Sequence, residues 1–243
     1  MNLLLSLAFL FFIGSVFGWV LELLFRRFFS SSNPERRWVN PGFCVGPYLP
    51  LYGTGLCVLY LLAGLGARCG LDDSPEGVAA LLALMALSMT AVEYLTGLVL
   101  LKWAKLRLWD YRDCRGNVQG LICPLFSLFW ALLGAAYYFL VHPYVLGALD
   151  WLAHNLAFSF VIGYFFGIFT LDFAYSAHLA ARLKKFAEEN RVVVRVEALR
   201  AHIRDARRQA RQKIHFFFSL RADRPLAEHL REAAGALEQI RRP

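Results

Sequence analysis

Glu93 is the residue whose type and position most strongly suggest chemistry. It lies two-thirds of the way along an apolar run, residues 78–101, where inserting a carboxylate costs on the order of 2–3 kcal/mol. Such a side chain must be neutral, paired or in contact with water. The working hypothesis is a ligand, ion or proton site. The alternative is a hydrogen bond that only ties two helices together.

Other polar residues lie near the ends of apolar runs. Glu22 precedes Arg26 by four residues, so a local ion pair is an alternative to a site. Asp172 favours a structural role, paired with a basic residue of the tail or snorkelling. The loop Leu108-Trp109-Asp110-Tyr111 suits the head-group layer, as an anchor, a lid or a docking surface. The candidates for a substrate or ion site are Glu93, Glu22, Asn40, Tyr52, Trp109, Asp110, Tyr111 and Asn117, with Gly46, Pro47, Gly53 and Pro124 shaping the backbone.

The segment 40–55, NPGFCVGPYLPLYGTG, is rich in proline and glycine. Proline removes backbone donors and glycine permits conformations that other residues avoid, so no regular helix is expected before Leu51. Broken backbone at membrane depth persists only when it is buried in protein or lines a wet cavity. A simple loop whose proline opens the next helix is the alternative.

Five nearly uncharged apolar runs must position these residues. Each is about twenty residues long, enough to cross roughly 30 Å of hydrocarbon, and each is apolar all round rather than striped. The predicted spans are residues 3–24, 49–67, 78–101, 121–141 and 151–175. The first lacks a basic leader and a small-residue cleavage site, so it is expected to be retained. The chain is therefore predicted to be an all-α polytopic membrane protein.

Lysine and arginine counts predict the orientation. The four loops between the predicted spans hold four, one, five and no basic residues, and sixteen follow residue 177. Basic loops stay in the cytoplasm. We therefore expect the first and third loops and the carboxyl terminus inside, and the amino terminus outside, in a cell (plasma) membrane.

The carboxyl-terminal segment differs from the rest of the chain. We expect a transmembrane domain over residues 1–176 and a basic, amphipathic cytoplasmic tail over 177–243 that folds as a helical hairpin. The whole net charge of +8 lies in this tail, which favours attraction to anionic lipid. No nucleic-acid-binding motif accompanies the charge, so no nucleic-acid partner is predicted.

Two sequence patterns bear on architecture. Gly14 with Gly18, and Gly163 with Gly167, have the spacing that lets membrane helices approach closely, within the bundle or in a homo-oligomer. In addition, Asn40 to Pro47 and Asn117 to Pro124 share one spacing, and each segment opens an even-numbered span. This predicts a parallel internal repeat of spans one–two and three–four, with chance as the alternative.

No motif for catalysis or a cofactor is found in the sequence. There is no Walker A, GxSxG, HExxH or dinucleotide loop. The five cysteines and six histidines lack ligand spacing, so neither a metal site nor a structural disulfide is expected. No cofactor is predicted, no ATPase, hydrolase or metal motif indicates an enzyme, and ATP-driven work would require a separate ATPase subunit.

Several motifs in order resemble a known bacterial family. These are GWVLE from Gly18, the segment 40–55, EYLTG from Glu93, LWDY from Leu108, NVQGLICP from Asn117, and His142-Pro143. Over roughly residues 10–145 the chain is similar to the family described as putative ABC-transporter type IV. The family's Asn-Arg-Gly is Asn40-Pro41-Gly42 here, so no role for a basic residue at position 41 is implied.

That resemblance implies a permease-like membrane subunit that needs a separate energising partner. Two other classes remain open. One is a membrane enzyme or lipid-binding protein with a cytoplasm-facing polar pocket, and the other is a scaffold presenting its basic tail. Polar residues continuing through the bundle would favour transport, whereas polar residues confined to the cytoplasmic end would favour the pocket.

Overall fold

The computed structural model describes residues 2–30, 33, 35–189 and 194–195. Within them, five helices are long and apolar enough to cross a membrane. The protein is a five-span all-α membrane protein, as predicted. Most of the predicted tail, including its helical hairpin, lies outside the described residues. The spans are Leu3–Phe28, Pro50–Arg68, Pro75–Ala104, Pro124–His154 and Leu156–Ala181.

Six α-helices build the spans. The first three spans are α1 (Leu3–Phe28), α2 (Pro50–Arg68) and α3 (Pro75–Ala104). The fourth span joins α4 (Pro124–Ala136) to α5 (His142–His154) through a π-helical turn, Tyr137–Val141. A short 3₁₀ turn, Leu156–Phe158, precedes α6 (Ser159–Glu189).

Proline sets the start of three helices. Pro50, Pro75 and Pro124 are the first residues of α2, α3 and α4. Proline is favoured there because its fixed φ suits a helix and its missing N–H has no intrahelical partner at this position. The start of α3 is also capped by Ser74, whose Oγ accepts a hydrogen bond from the Gly77 N–H at 3.1 Å.

The fourth span differs from its prediction. It was expected to end at residue 141 and to be followed by a loop over 142–150, but the helix runs on to His154. The reason is the π-helical turn: the His142 N–H donates to the Tyr137 carbonyl five residues earlier. Because of this turn the helix continues through Pro143.

Helices α1 and α2 make the closest approach in the bundle. A Cβ at Gly14 would lie 2.9 Å from Leu56 Cβ, and one at Gly18 only 2.2 Å from Tyr52 Cβ. A Cβ at Gly53 would lie 2.2 Å from Ser15 Oγ. The predicted close approach at Gly14 and Gly18 therefore occurs within the chain. At the second glycine pair, Gly163 and Gly167, a Cβ would meet no described atom within 4 Å.

A dry apolar core fills the centre of the bundle. Leu10, Leu81, Met85 and Leu152 are its largest fully buried side chains. The outward faces carry large exposed apolar side chains, among them Phe160 at 82% exposure, as expected for surfaces in contact with lipid.

Helix α6 continues past the fifth span. It crosses residue 177, where we placed the domain boundary, without interruption. Two short strands, β1 (Leu106–Arg107) and β2 (Val194–Arg195), pair in parallel, with Leu106 opposite Val194. The division at residue 177 stays a prediction.

Candidate functional site

The polar candidates lie at one end of the bundle, formed by segments 29–49 and 105–123 that connect α1 to α2 and α3 to α4. We call this the loop end. Alternating helix directions place both segments on the same side of the membrane, because each follows an odd-numbered span and precedes an even-numbered one. The two segments bond to different helices: segment 29–49 to α1 and α6, and segment 105–123 to α3.

Glu93 is buried, at 3% exposure, and both carboxylate oxygens accept hydrogen bonds. The Tyr111 hydroxyl donates to Oε1 at 3.0 Å, and the Trp130 indole N–H donates to Oε2 at 2.9 Å. Both donors are neutral, and no described cation lies within ion-pair distance of Glu93. Glu93 thus joins α3 to α4 and to segment 105–123.

Tyr111 is carried into the bundle by a folded loop. Its N–H donates to the Gly120 carbonyl at 2.9 Å, and its ring stacks on Phe126 of α4 with centroids 4.3 Å apart. Burial, and then the neighbouring Glu93 carboxylate, raise the pKa of the Tyr111 hydroxyl well above its ordinary value. Tyr111 therefore keeps its proton and remains a donor to Glu93 at physiological pH.

A second acidic group lies one helix away. Glu22 of α1 pairs with Arg26, with Oε1 2.9 Å from Nε, which confirms the local ion pair expected from the spacing. The Tyr52 hydroxyl of α2 donates to Glu22 Oε2 at 3.1 Å. The Tyr52 ring lies 5.5 Å from the Trp130 ring, so this aromatic contact links the hydrogen bonds at Arg26 and Glu22 to those at Glu93 and Tyr111.

Trp109 and Asp110 hold segment 105–123 in place. The Trp109 indole N–H donates to the Leu121 carbonyl at 2.9 Å, and the ring edge occupies the space left by Gly97, whose Cβ would lie 3.2 Å from Trp109 Cζ2. Asp110 accepts two-pronged hydrogen bonds from Arg112 at 2.7–3.1 Å. These bonds of both side chains lie within segment 105–123 and shape the loop.

Asn117 and Pro124 complete that loop. The Asn117 amide donates to the Arg112 and Cys114 carbonyls at 3.2 and 2.8 Å, and its Oδ1 accepts the Gly120 N–H at 3.0 Å. Gly120 has φ +69°, a conformation that favours glycine. Pro124 begins α4 directly afterwards.

Asn40 plays the corresponding part in segment 29–49. Its amide donates to the Cys44 and Val45 carbonyls at 3.0 and 2.9 Å. Its Oδ1 accepts the Gly42 N–H at 3.0 Å and the Trp19 indole N–H at 2.9 Å. The non-helical backbone is therefore folded against α1.

Asp172 of α6 holds the same segment from the other side. Its carboxylate accepts the Val45 N–H at 3.1 Å, the Gly46 N–H at 2.7 Å and the Tyr48 hydroxyl. The Gly46 position is tight, since a Cβ there would lie 2.4 Å from the Tyr48 ring. Pro47 follows Gly46 and ends this tight turn two residues before the α2 cap.

The structure thus brings Glu93, Glu22, Tyr52 and Tyr111 into one network. Asn40, Gly46, Pro47, Trp109, Asp110, Asn117 and Pro124 fold the two segments, and Gly53 admits α1. Sequence reasoning missed Trp130 as the partner of Glu93. It also considered only tail partners for Asp172. The sequence did show an indole N–H donor, that of Trp130, inside an apolar run. The direction in which that side chain points depends on helix packing.

Chemically, the network can hold charge or protons among partly and fully buried side chains. It contains two carboxylates, one guanidinium and two phenols, joined through an indole. Among the described residues no group of three or more His, Cys, Asp and Glu side chains could hold a metal ion. Charge pairing and proton exchange are therefore the chemistry that these side chains offer.

A five-span helical bundle with its acidic network at one end defines a polytopic integral membrane protein. The family model described as "Putative ABC-transporter type IV" matches residues 9–177, and the chain belongs to that family. The match extends beyond residues 10–145, where the motifs lie, and includes the fifth span. No curated protein and no solved structure matches the chain.

Proposed function

We propose that the protein is the permease-like membrane subunit of an ABC-type transporter, energised by a separate ATPase. The family description supports transport, and the chain has no nucleotide-binding motif of its own. We place it in the bacterial plasma membrane with the loop end in the cytoplasm. The basic residues of segments 29–49 and 105–123 support that orientation.

The polar network from Arg26 to Tyr111 carries this proposal. An ATPase in the cytoplasm can act on membrane helices only through elements that move with them. Tyr111 belongs to an exposed loop and is bound to Glu93 in α3, which is bound to Trp130 in α4. A force on segment 105–123 would therefore reach two spans directly, and α1 and α2 through the Tyr52 ring.

The experiment compares Glu93→Gln with Glu93→Leu. Gln keeps the shape and accepts one hydrogen bond, whereas Leu leaves both Tyr111 and Trp130 unpaired. If the charge or its titration is used, Glu93→Gln inserts and folds but loses a transport or growth phenotype. A stable and fully active Gln variant would leave only the structural interpretation.

Affinity purification in mild detergent tests the partner. An ATPase should co-purify with the intact chain and be lost on Arg112→Glu, which breaks the Asp110 pair in the exposed loop. The matched control is Arg68→Glu at the other end of the bundle. Retention of the ATPase by the Arg112 variant would exclude segment 105–123 as its docking surface.

Orientation has its own test. An impermeant thiol reagent should reach a cysteine placed at Asp73 or Asp150 from outside, and should not reach one at Arg112. Asp150 is well suited because its side chain is 76% exposed. Labelling of Arg112→Cys in intact cells would reverse the topology.

Further partners follow from the sequence and are part of the proposal. The basic tail binds anionic lipid, and the open face at Gly163 and Gly167 is where a second copy would pack. Vesicle binding of the full chain that weakens as salt rises tests the first. Cross-linking from Gly163→Cys tests the second.

One observation favours a second function, a membrane enzyme or lipid-binding protein with a cytoplasm-facing polar pocket. Beyond Glu93 the centre of the bundle is filled by Leu81, Met85 and Leu10, each at most 1% exposed. The acidic groups of the network, Glu22 and Glu93, thus lie on the loop-end side of this packing. Transport requires that this apolar packing open, and a cross-link between α1 and α3 near Leu10 and Leu81 would block transport but spare a pocket.

A further inference from the structure

A second polar cluster lies in the fourth span, away from the loop end. The Tyr137 hydroxyl and His142 Nδ1 are 2.8 Å apart, and Tyr137 is buried at 4% exposure. The rings of Tyr137 and His142 meet edge to face with centroids 5.4 Å apart. Tyr60 of α2 faces the same imidazole at 6.4 Å. His142-Pro143 is the family motif that the network around Glu93 leaves unexplained.

The π-helical turn is what brings the pair together. Residues five apart on an α-helix are about 140° apart around the axis, so Tyr137 and His142 would point in different directions. The wider turn over Tyr137–Val141, closed by the His142 N–H to the Tyr137 carbonyl, places them on one face. Pro143 has no N–H with which to restore the α-helical pattern. Turns of this kind occur often at functional sites.

The cluster has hydrogen-bonding capacity that it does not use. Tyr137 occupies only Nδ1 of the imidazole. Neither His142 Nε2 nor the Tyr60 hydroxyl bonds to another residue in the part of the chain that the structure describes. Unused polar groups in a membrane span are costly and mark ion and proton pathways. His142 and Tyr60 are both half-buried, which gives these groups access to a mobile species.

We propose that His142 is a proton-binding site in the fourth span, with the proton taken up at the imidazole and the charge held by Tyr137 and Tyr60. A phenol oxygen can accept a hydrogen bond from the imidazolium that it donates to in the neutral form. Aromatic faces within about 6 Å attract a cation. The Tyr137 ring centroid lies 5.4 Å from the imidazole centroid, and the Tyr60 centroid, at 6.4 Å, lies at the outer edge of that range. Histidine is the side chain whose charge changes in the physiological pH range.

The surroundings of His142 contain no described charge that would fix its state. Tyr137 lies on the same span as His142. Tyr60 lies on α2, and Cys57 of α2 faces Tyr137. No described carboxylate lies within ion-pair distance of the imidazole. Proton uptake therefore changes the net charge of this part of the bundle by one unit.

This site is distinct from the one at Glu93. Seven residues of the fourth span separate Trp130 from Tyr137, which corresponds to about 10 Å of helix rise. Leu59 and Met85 line the intervening space around Gly134, and both are buried. The two sites can therefore be titrated separately, and the proton site does not depend on the proposed transport function.

The test is nitrogen-15 NMR of histidine-labelled full-length protein in lipid nanodiscs. One imidazole signal, assigned by its loss in His142→Gln, should titrate between about pH 5 and 8. His154→Gln is the matched control on the same helix, because His154 is exposed and bonds only locally to Asp150. If the Gln variant fails to insert, His142→Asn provides the assignment.

The aromatic neighbour gives a second readout. Tyr60→Leu removes the ring and should weaken proton binding by about twofold or more, whereas Tyr60→Phe keeps the ring and should weaken it less. A His142 signal that stays neutral across the whole range would overturn the proposal and leave a structural hydrogen bond to Tyr137. If neither Tyr60 variant changes the titration of His142, Tyr60 is not part of the site.

Discussion

Asp172→Asn is the substitution that should reveal how the loop end is held together. The carboxylate accepts on both oxygens: Val45 N–H and Ser176 Oγ–H donate to Oδ1, and Gly46 N–H and the Tyr48 hydroxyl donate to Oδ2. Asparagine can keep one of these faces. On the other face its NH₂ group confronts two donors, so Gly46 and Tyr48 lose their acceptor.

The cost follows from those two donors. A buried donor left unpaired costs about 1–3 kcal/mol. Tyr48 is buried at 4% exposure. Gly46 and Asp172 are half-exposed, which lowers the free energy lost with the bond between them. We therefore expect the free energy of unfolding to fall by about 1–4 kcal/mol. Burial and then Asp172 raise the pKa of the Tyr48 hydroxyl, so that it stays protonated and cannot relieve the mismatch by ionising.

The assay is unfolding in mixed micelles of mild detergent and dodecyl sulfate, followed by tryptophan fluorescence. Asp150→Asn is the matched control, since the Asp150 side chain is 76% exposed, and it should unfold with wild-type protein. Asp172→Glu retains the charge in a longer side chain and should lie between the two. If Asp172→Asn unfolds together with Asp150→Asn, the acid does not hold segment 29–49 and the reasoning fails.

Two further outcomes follow from close packing and burial. Gly18→Ala should destabilise the protein by about 1–3 kcal/mol, because the new Cβ would lie 2.2 Å from the Tyr52 Cβ. In the control Gly163→Ala the new Cβ meets no described atom, so this variant should be neutral in the same unfolding assay. Burial, and then Asp172, raise the pKa of the Cys44 thiol to about 12. Maleimide should therefore label exposed Cys69 at pH 8 and reach Cys44 only after unfolding, and early labelling of Cys44 would contradict its burial.

The sequence predicts the spans well because run length is a property of each segment alone. The first three spans begin and end close to their predicted bounds, whereas the fifth, predicted over residues 151–175, runs from Leu156 to Ala181. The fourth was expected to end at residue 141 with its apolar run. The bond from the His142 N–H to the Tyr137 carbonyl, five residues earlier, carries the helix on past Pro143.

Contacts within a site are predictable only when they are local. The Glu22–Arg26 pair follows from a spacing of four on one helix. The partners of Glu93 are 18 and 37 residues away along the chain, and that of Tyr48 is 124 residues away. Which of several polar groups meets a buried acid depends on how each helix is rotated in the bundle. No periodicity in a single sequence specifies that rotation.

The two segments of the suggested internal repeat share a hydrogen-bonding pattern at the loop end. In both segments an asparagine amide donates to two loop carbonyls while its oxygen accepts a glycine N–H, at Asn40 and at Asn117. Each loop is then held from outside its own segment by an acidic residue of a membrane-spanning helix, Asp172 in one case and Glu93 in the other.

The two acids differ in burial and in their donors. Asp172 is half-exposed and accepts hydrogen bonds from backbone N–H groups, whereas Glu93 is buried and accepts hydrogen bonds from two side chains. A backbone anchor fixes a loop whatever its side chains do, but a bond through Tyr111 can be made and broken by one rotation of that side chain. Backbone bonds to Asp172 therefore fix residues 45–46, and on the proposed function segment 105–123 is the one whose movement Glu93 would control.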